Sequence, residues 1–372
     1  MSDWKFLRNV LIKALGLFIL FNLVFALINP MPLLGRLSLY NHLLPGRERL
    51  PFGEEPQKAY NLSLYNMEAM FASHELTAGQ KPAGEFRVFV LGDSSVWGTL
   101  LEPQQTLAGC LNDLQLQAKD GRQAVFYNLG YPTMSLTKDM VILQEVRQYE
   151  PDLILLPLTL DSLPLQKQLE SPLIANNPDR VRHLQQVAGL SWLDDLTGLD
   201  DPSFYDRTIF GQRRNLADMI RLQLYGFMYA ATGIDQVYPE SYEPAKRDFE
   251  HDDTFHDLES QVFDSSALAF DLLETGSDLS TEVPLVVINE PILRASGENS
   301  DIRYNFFYPR WAYDAYRFYM IDLSENAGWT YLDYWDLLPE SAFTNSAVHL
   351  TPGGTQLFAD QLAQDLQEFF LR

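Results

Sequence analysis

The sequence predicts an α/β protein: a three-layer α/β/α sandwich on a mostly parallel sheet, with an N-terminal transmembrane helix and a helical insertion. Three observations carry that prediction. Apolar runs of strand length alternate with helical patterns between residues 86 and 158, and again between 283 and 370. An uncharged stretch stands near the N-terminus, and a polar, acidic segment without clear strands separates the two alternating blocks. Strand, helix and strand at this pace make βαβ units, hence a parallel sheet.

The elements follow in order. Residues 14–35 carry no charged side chain. At ~1.5 Å rise per residue such a stretch crosses a hydrocarbon core of ~30 Å. Lys5, Arg8 and Lys13 precede it, whereas Arg36, Arg47 and Arg49 follow at wider spacing, which places the N-terminus in the cytoplasm. A cleaved signal peptide is the competing reading. Phe25-Ala26-Leu27-Ile28-Asn29-Pro30 offers no small-x-small cleavage site, which favours an uncleaved anchor. Residues 1–35 are thus expected to form a cytoplasmic tip and anchor. Residues 36–84, polar with turn residues and two short helical patterns, read as a membrane-proximal stalk, and residues 85–372 as the domain, outside the cytoplasm.

Residues 86–91 form an apolar, β-branched run that ends at Gly92, the mark of a buried strand. A helical pattern spans 106–118, followed by a strand at 124–129, a helix at 136–149 and a strand at 152–158. From 163 to about 280 the chain is polar and mostly helical, and it reads as an insertion or lid. Its most apolar stretch, 215–234, is interrupted by Asp218 and Arg221. A charge at the bilayer centre costs ~2.5–3.5 kcal/mol on insertion scales, so this stretch reads as a core or interfacial helix. Alternation resumes with a strand at 283–288, a helix near 311–326, a strand at 329–334 and a helix at 352–370. Thr351 suits that last helix as N-cap and Pro352 as its first residue.

Composition narrows the function. Hydrophobic residues make up 46% of the chain and charged residues 21%, the balance of a globular protein. A net charge of −23 excludes a nucleic-acid partner, whose phosphates demand clustered Lys and Arg. The single cysteine, Cys110, excludes an intrachain disulfide and a thiolate metal cage.

The sharpest chemical signal is Gly92-Asp93-Ser94-Ser95-Val96-Trp97-Gly98, at the carboxyl end of the first strand, where open α/β sheets place their sites. A serine at the start of a helix gains a backbone N–H and the helix dipole for a reacting oxygen. Alone, Asp93 and Ser94 could equally be helix caps. Near the C-terminus stands His349, in Val348-His349-Leu350-Thr351-Pro352-Gly353-Gly354, directly before a capped helix. Serine needs an adjacent base near neutral pH, and histidine is the usual one. The remaining histidines, His42, His74, His183, His251 and His256, sit in polar surroundings and read as surface residues. His251-Asp252-Asp253 with His256-Asp257 reads as a solvated acidic loop rather than a metal site. Asn289-Glu290-Pro291, just past the strand at 283–288, would line the cleft beside Asp93 or form a turn and cap. The aromatic run 304–319 reads as a helix packed on the sheet, with sugar stacking as its alternative.

A first-strand serine with a histidine before the last helix is the order used by the SGNH/GDSL hydrolases, and this sequence resembles that family over roughly residues 86–162 and 283–370. The segment 92–98 matches its first block and 349–354 its last. Gly130, in Asn128-Leu129-Gly130, matches the second block. The resemblance implies a flavodoxin-like fold and an esterase or O-acyl transferase working without cofactor or metal. It implies Ser94 as nucleophile, His349 as base, and the N–H groups of Ser94 and Gly130 as oxyanion donors. The layout is similar to anchored members that assist membrane-bound O-acyltransferases in decorating envelope polysaccharides. That implies an acyl-ester or glycan substrate and such a transferase as partner.

Two positions depart from the family. Leu160, in Leu158-Thr159-Leu160-Asp161, stands where an asparagine is expected as oxyanion donor, and losing one donor costs ~2.7–4 kcal/mol in the transition state. Thr159 or Asn128 would have to substitute. Ser346 stands where the family has an aspartate three residues before the histidine, a group whose loss lowers turnover ~10⁴-fold in a Ser-His-Asp triad. Asp333 or Asp336 could serve from the strand ahead, or Ser346 or a backbone carbonyl could orient the ring. Leu160 and Ser346 also suit a different class of function, a non-catalytic scaffold that keeps the fold.

Overall fold

The structure, a computed structural model, describes residues 2–37, 41, 43–44, 46–52, 65–190, 202–232, 241, 243–280 and 283–372. Its centre is a sheet of β1 (Glu85–Val90), β2 (Gln123–Asn128), β3 (Leu153–Leu158), β4 (Leu285–Asn289) and β5 (Thr330–Asp333), ordered β2-β1-β3-β4-β5. Every neighbouring pair is parallel. This is the doubly wound order of flavodoxin-like sheets.

The helices in chain order are α1 (Ser2–Ile28), α2 (Met31–Gly35), α3 (Met67–Ala72), α4 (Ser94–Trp97), α5 (Leu107–Asp113) and α6 (Leu136–Val146). They continue with α7 (Pro172–Ala175), α8 (Pro178–Ala188), α9 (Arg213–Thr232), α10 (Asp271–Leu279), α11 (Arg310–Ala327) and α12 (Pro352–Phe369). Successive strand residues point to opposite faces. Val88, Val90, Phe126, Leu155 and Ile288 join α5 and α12 in one core layer. Phe89, Tyr127, Ile154, Leu156 and Val287 join α6, α10 and α11 in the other. Burial on both faces is why β3 and β4 read as continuous apolar runs rather than alternating ones. The aromatic run resolves as packing, since Tyr308, Tyr313 and Tyr316 are fully buried.

Several expectations change in detail. The anchor helix starts before residue 14 and stops at Ile28, because Asn29 adopts a left-handed φ of 46° and Pro30 follows it. Among the described residues, Trp4–Ile28 is the one helix long and apolar enough to cross a membrane. The expected helix 106–118 ends at Asp113 and the expected helix 136–149 finishes in a 3₁₀ turn, Arg147–Tyr149.

The described part of 36–84, expected as a stalk, is built into the domain. Leu50, Met67, Met70 and Phe71 have no exposed surface and belong to the α6-side core. Arg49 donates to the carbonyls of Trp97, Gly98 and Leu101 and lies over the Trp97 ring at 4.2 Å. Residues 38–40, 42 (with His42), 45 and 53–64 lie outside those described. Of the insertion at 163–280, residues 191–201, 233–240 and 242 also lie outside. Its last helix, α10, shares the α6-side core through Leu272 and Leu273.

Candidate active site

The first block forms a tight turn at the carboxyl end of β1. Gly92 has φ 141°, and a Cβ there would fall 2.6 Å from Val96 Cγ2 and 3.1 Å from the Pro157 carbonyl, so only glycine fits. Asp93 then caps α4, its Oδ1 accepting the Ser95 N–H at 2.7 Å. Ser94 is the first residue of α4, so its N–H has no acceptor within the helix. Beneath the turn, Lys138 Nζ donates to the Gly92 carbonyl at 2.7 Å and to Asp139 Oδ1 at 2.6 Å. Both residues of this pair are buried at the start of α6.

His349 reaches the same place from the other end of the chain. Its carbonyl accepts from the Thr344 N–H at 2.9 Å and the Thr344 hydroxyl at 3.1 Å, which fixes the backbone just before Thr351 caps α12. Ser94 Oγ and His349 Nε2 lie 2.9 Å apart. Burial holds the imidazole below its ordinary pKa, and the Asp93 carboxylate opposes that shift. A neutral ring accepting at Nε2 carries its proton on Nδ1. His349 Nδ1 is buried and has no hydrogen-bond partner among the described residues.

The groups proposed to orient that nitrogen are elsewhere. Ser346 is half-buried and makes no hydrogen bond to the ring. Asp333 is held by Arg317 at 2.7 Å and by Asn289 Nδ2 at 2.8 Å, and Asp336 is exposed. The Asp93 charge favours the protonated ring, against the larger effect of burial. Expected as a substrate contact, Asp93 is buried, and its Oδ2 has no hydrogen-bond partner among the described residues.

Two of the expected oxyanion groups, Gly130 and Thr159, are engaged. Gly130 N–H donates to Asn128 Oδ1 at 3.1 Å, while Asn128 Nδ2 donates to the Val96 carbonyl at 2.8 Å. Gly130 packs so closely on α4 that a Cβ would fall 2.5 Å from Trp97 N. Thr159 Oγ1 lies 2.6 Å from the Tyr308 hydroxyl, with both residues fully buried. Leu160, in place of the asparagine, has no exposed surface and belongs to the core.

Asn289 and Glu290, expected along the cleft, are interior. Asn289 Oδ1 accepts from the Tyr313 hydroxyl at 2.8 Å, and with Asp333 it ties β4 to β5 and α11. Glu290 accepts from the Ser95 hydroxyl, and its Oε1 has no hydrogen-bond partner among the described residues. Burial pushes its carboxyl well above the usual range, and the charges of Asp93 and Asp139 reinforce the shift. Burial also raises Asp139 to about 6 against the pull of Lys138. An interior cluster of Asp93, Asp139, Glu290 and Lys138 therefore backs the serine. Its signal in the sequence was faint: a Lys-Asp pair within an otherwise apolar helix start.

Among the described histidines, His74 is the one clear reversal. It is fully buried, with Nδ1 accepting the Leu76 N–H at 3.1 Å and Nε2 donating to the Asn128 carbonyl at 3.1 Å. Burial lowers its pKa to about 4, so it is a neutral strut between α3 and the end of β2. His256, exposed as expected, lies 2.6 Å from Asp161 Oδ1.

No family model and no curated protein matches the chain. Three similar solved structures come from two bacteria. Est24, a carbohydrate acetylesterase from Sinorhizobium meliloti, is 13% identical with a TM-score of 0.35, over 76% of this chain and 99% of that one. A carbohydrate acetylesterase family member from the same organism is 11% identical with a TM-score of 0.33, over 76% and 97%. A protein described as lipolytic and of the G-D-S-L family, from Desulfitobacterium hafniense DCB-2, is 9% identical with a TM-score of 0.33, over 75% and 98%.

Proposed function

We propose that this protein is a membrane-anchored serine hydrolase of SGNH type that cleaves or transfers an acyl ester outside the cytoplasm. The observation that carries the reading is the 2.9 Å approach of Ser94 Oγ to His349 Nε2 at the carboxyl end of the first strand. Ser94 Oγ attacks the ester carbonyl carbon while His349 Nε2 takes the hydroxyl proton. The carbonyl oxygen becomes an oxyanion, received by the Ser94 N–H, with the Gly130 N–H joining once it leaves Asn128. Collapse breaks the ester C–O bond, and His349 returns the proton to the departing alkoxide. Water, or a sugar hydroxyl, then attacks the acyl-enzyme as His349 takes its proton, and Ser94 is regenerated on collapse.

Asp93 supports the base through space, favouring the imidazolium formed in the transition state without a hydrogen bond to it. A glycan of the cell envelope as acceptor, and a membrane O-acyltransferase as acyl-donating partner, suit a site tethered by an apolar helix with its N-terminus in the cytoplasm.

The rival reading is a scaffold of the same fold, favoured by the partnerless Nδ1 and by Leu160. Steady-state hydrolysis of a short-chain aryl ester by the full chain in detergent separates the two. Enzyme predicts turnover that Ser94→Ala abolishes and His349→Ala lowers about 10²–10⁴-fold. A rate that Ser94→Ala leaves unchanged contradicts it.

A further inference from the structure

The helix α9 is amphipathic in the wrong sense for a helix that faces water. Ile220, Leu224, Phe227 and Met228 form a stripe at helical spacing, exposed by 52%, 63%, 38% and 40%. Asp218, by contrast, is inside: it has no exposed surface, accepts the Tyr65 N–H at 3.3 Å, and is pushed up to about 8 by burial. Leu222 packs the inner face against Ala69 of α3. The turn that leads into α9 exposes Phe204, Tyr205 and Phe210, each by about half.

Continuity with the anchor says what covers this surface. The Phe210 N–H donates to Asn22 Oδ1 of α1 at 3.3 Å. Asn22 and Ala26 are buried, whereas most of α1 ahead of them is exposed. Asn22 stands six residues before Ile28, roughly 9 Å back along the helix axis, so the aromatic turn touches the anchor within its apolar length. Charge points the same way. In a chain of net charge −23, this stretch holds Arg207, Arg213, Arg214 and Arg221 against Asp206 and the buried Asp218. Arg213 lies over the Phe210 ring at 5.0 Å. Aromatics and arginines around an apolar stripe are the signature of a helix lying in a bilayer interface.

We propose that the turn at 204–210 and the outer face of α9 rest in the headgroup layer beside the anchor, binding an anionic phospholipid surface as a second membrane contact. This rests on the anchor reading and is independent of the ester chemistry. Beyond tethering, the contact would fix the height and tilt of the domain over the bilayer.

The test uses the full chain carrying a single added cysteine, labelled with an environment-sensitive fluorophore and reconstituted in phosphatidylglycerol–phosphatidylcholine vesicles containing nitroxide lipids. Cys110, buried and with its thiol pushed up to about 11, does not compete for the label. Labels at Ile220→Cys and Leu224→Cys are expected to be quenched several-fold more than one at Leu357→Cys, an exposed site on α12 in the opposite layer. The excess should shrink when phosphatidylcholine replaces the anionic lipid. Quenching at Leu17→Cys in α1 reports the anchor separately. If Leu17 is quenched while Leu224 matches Leu357, the interfacial contact is refuted and the anchor stands. If Leu17 is unquenched, both fall. A Leu224 label that is shielded from water yet unquenched by lipid means a protein covers the face, which also overturns the proposal, and quenching indifferent to lipid charge overturns its anionic preference.

Discussion

Ser94 and His349 stand 255 positions apart in sequence and 2.9 Å apart in space, and the surroundings of that contact set its chemistry. Burial keeps the imidazole neutral below its ordinary pKa, and Asp93 opposes that shift. A base of this kind works while unprotonated, so ester turnover should persist below pH 6.5 and fall only as His349 protonates. Asp93→Asn keeps an oxygen for the Ser95 N–H and removes the charge. The acid limb of its kcat/KM–pH profile should therefore move to lower pH than wild type. A limb that stays in place would remove Asp93 from the mechanism. The serine and histidine were legible because each sits in a turn with few alternatives, next to a cap and glycines. No orienting acid was legible, because Ser346 stands three residues before the histidine, and Asp93, whose charge bears on the ring through space, stands beside Ser94 instead. Asn289 and Glu290 misled for a related reason. Polar residues at the end of a strand suggest a cleft, and only tertiary structure shows Tyr313 and Ser95 donating to them inside.

At the scale of elements, the strands and long helices were readable within a few residues, since a parallel sheet buried on both faces leaves unbroken apolar runs. The segment around α3 was not. Short helical patterns register there, but Met67, Met70 and Phe71 are too few among polar neighbours to show that the segment packs into the core. His74 looked like a surface group because its partners are backbone atoms, one of them at the end of β2. Phe71 has no exposed surface. Phe71→Ala should destabilise the domain by about 3–5 kcal/mol in denaturant titration. A loss of a few tenths would mean that the segment hangs outside the core after all.

At the scale of the molecule, one apolar helix leads into an acidic α/β domain whose α3 and α9 lie on the anchor side, with Phe210 touching α1. A helix of this length inserts far more firmly than a peripheral contact. The full chain should therefore stay with membranes under alkaline carbonate extraction, and release into the supernatant would count against the anchor. The account as a whole stands on the reactivity of one hydroxyl. The most direct measurement is fluorophosphonate treatment of the folded full chain, followed by peptide mass mapping of the adduct. The account predicts a single adduct on Ser94 that is lost in Ser94→Ala and greatly slowed in His349→Ala. A folded wild type that takes up no label, or takes it up at another residue, would contradict it.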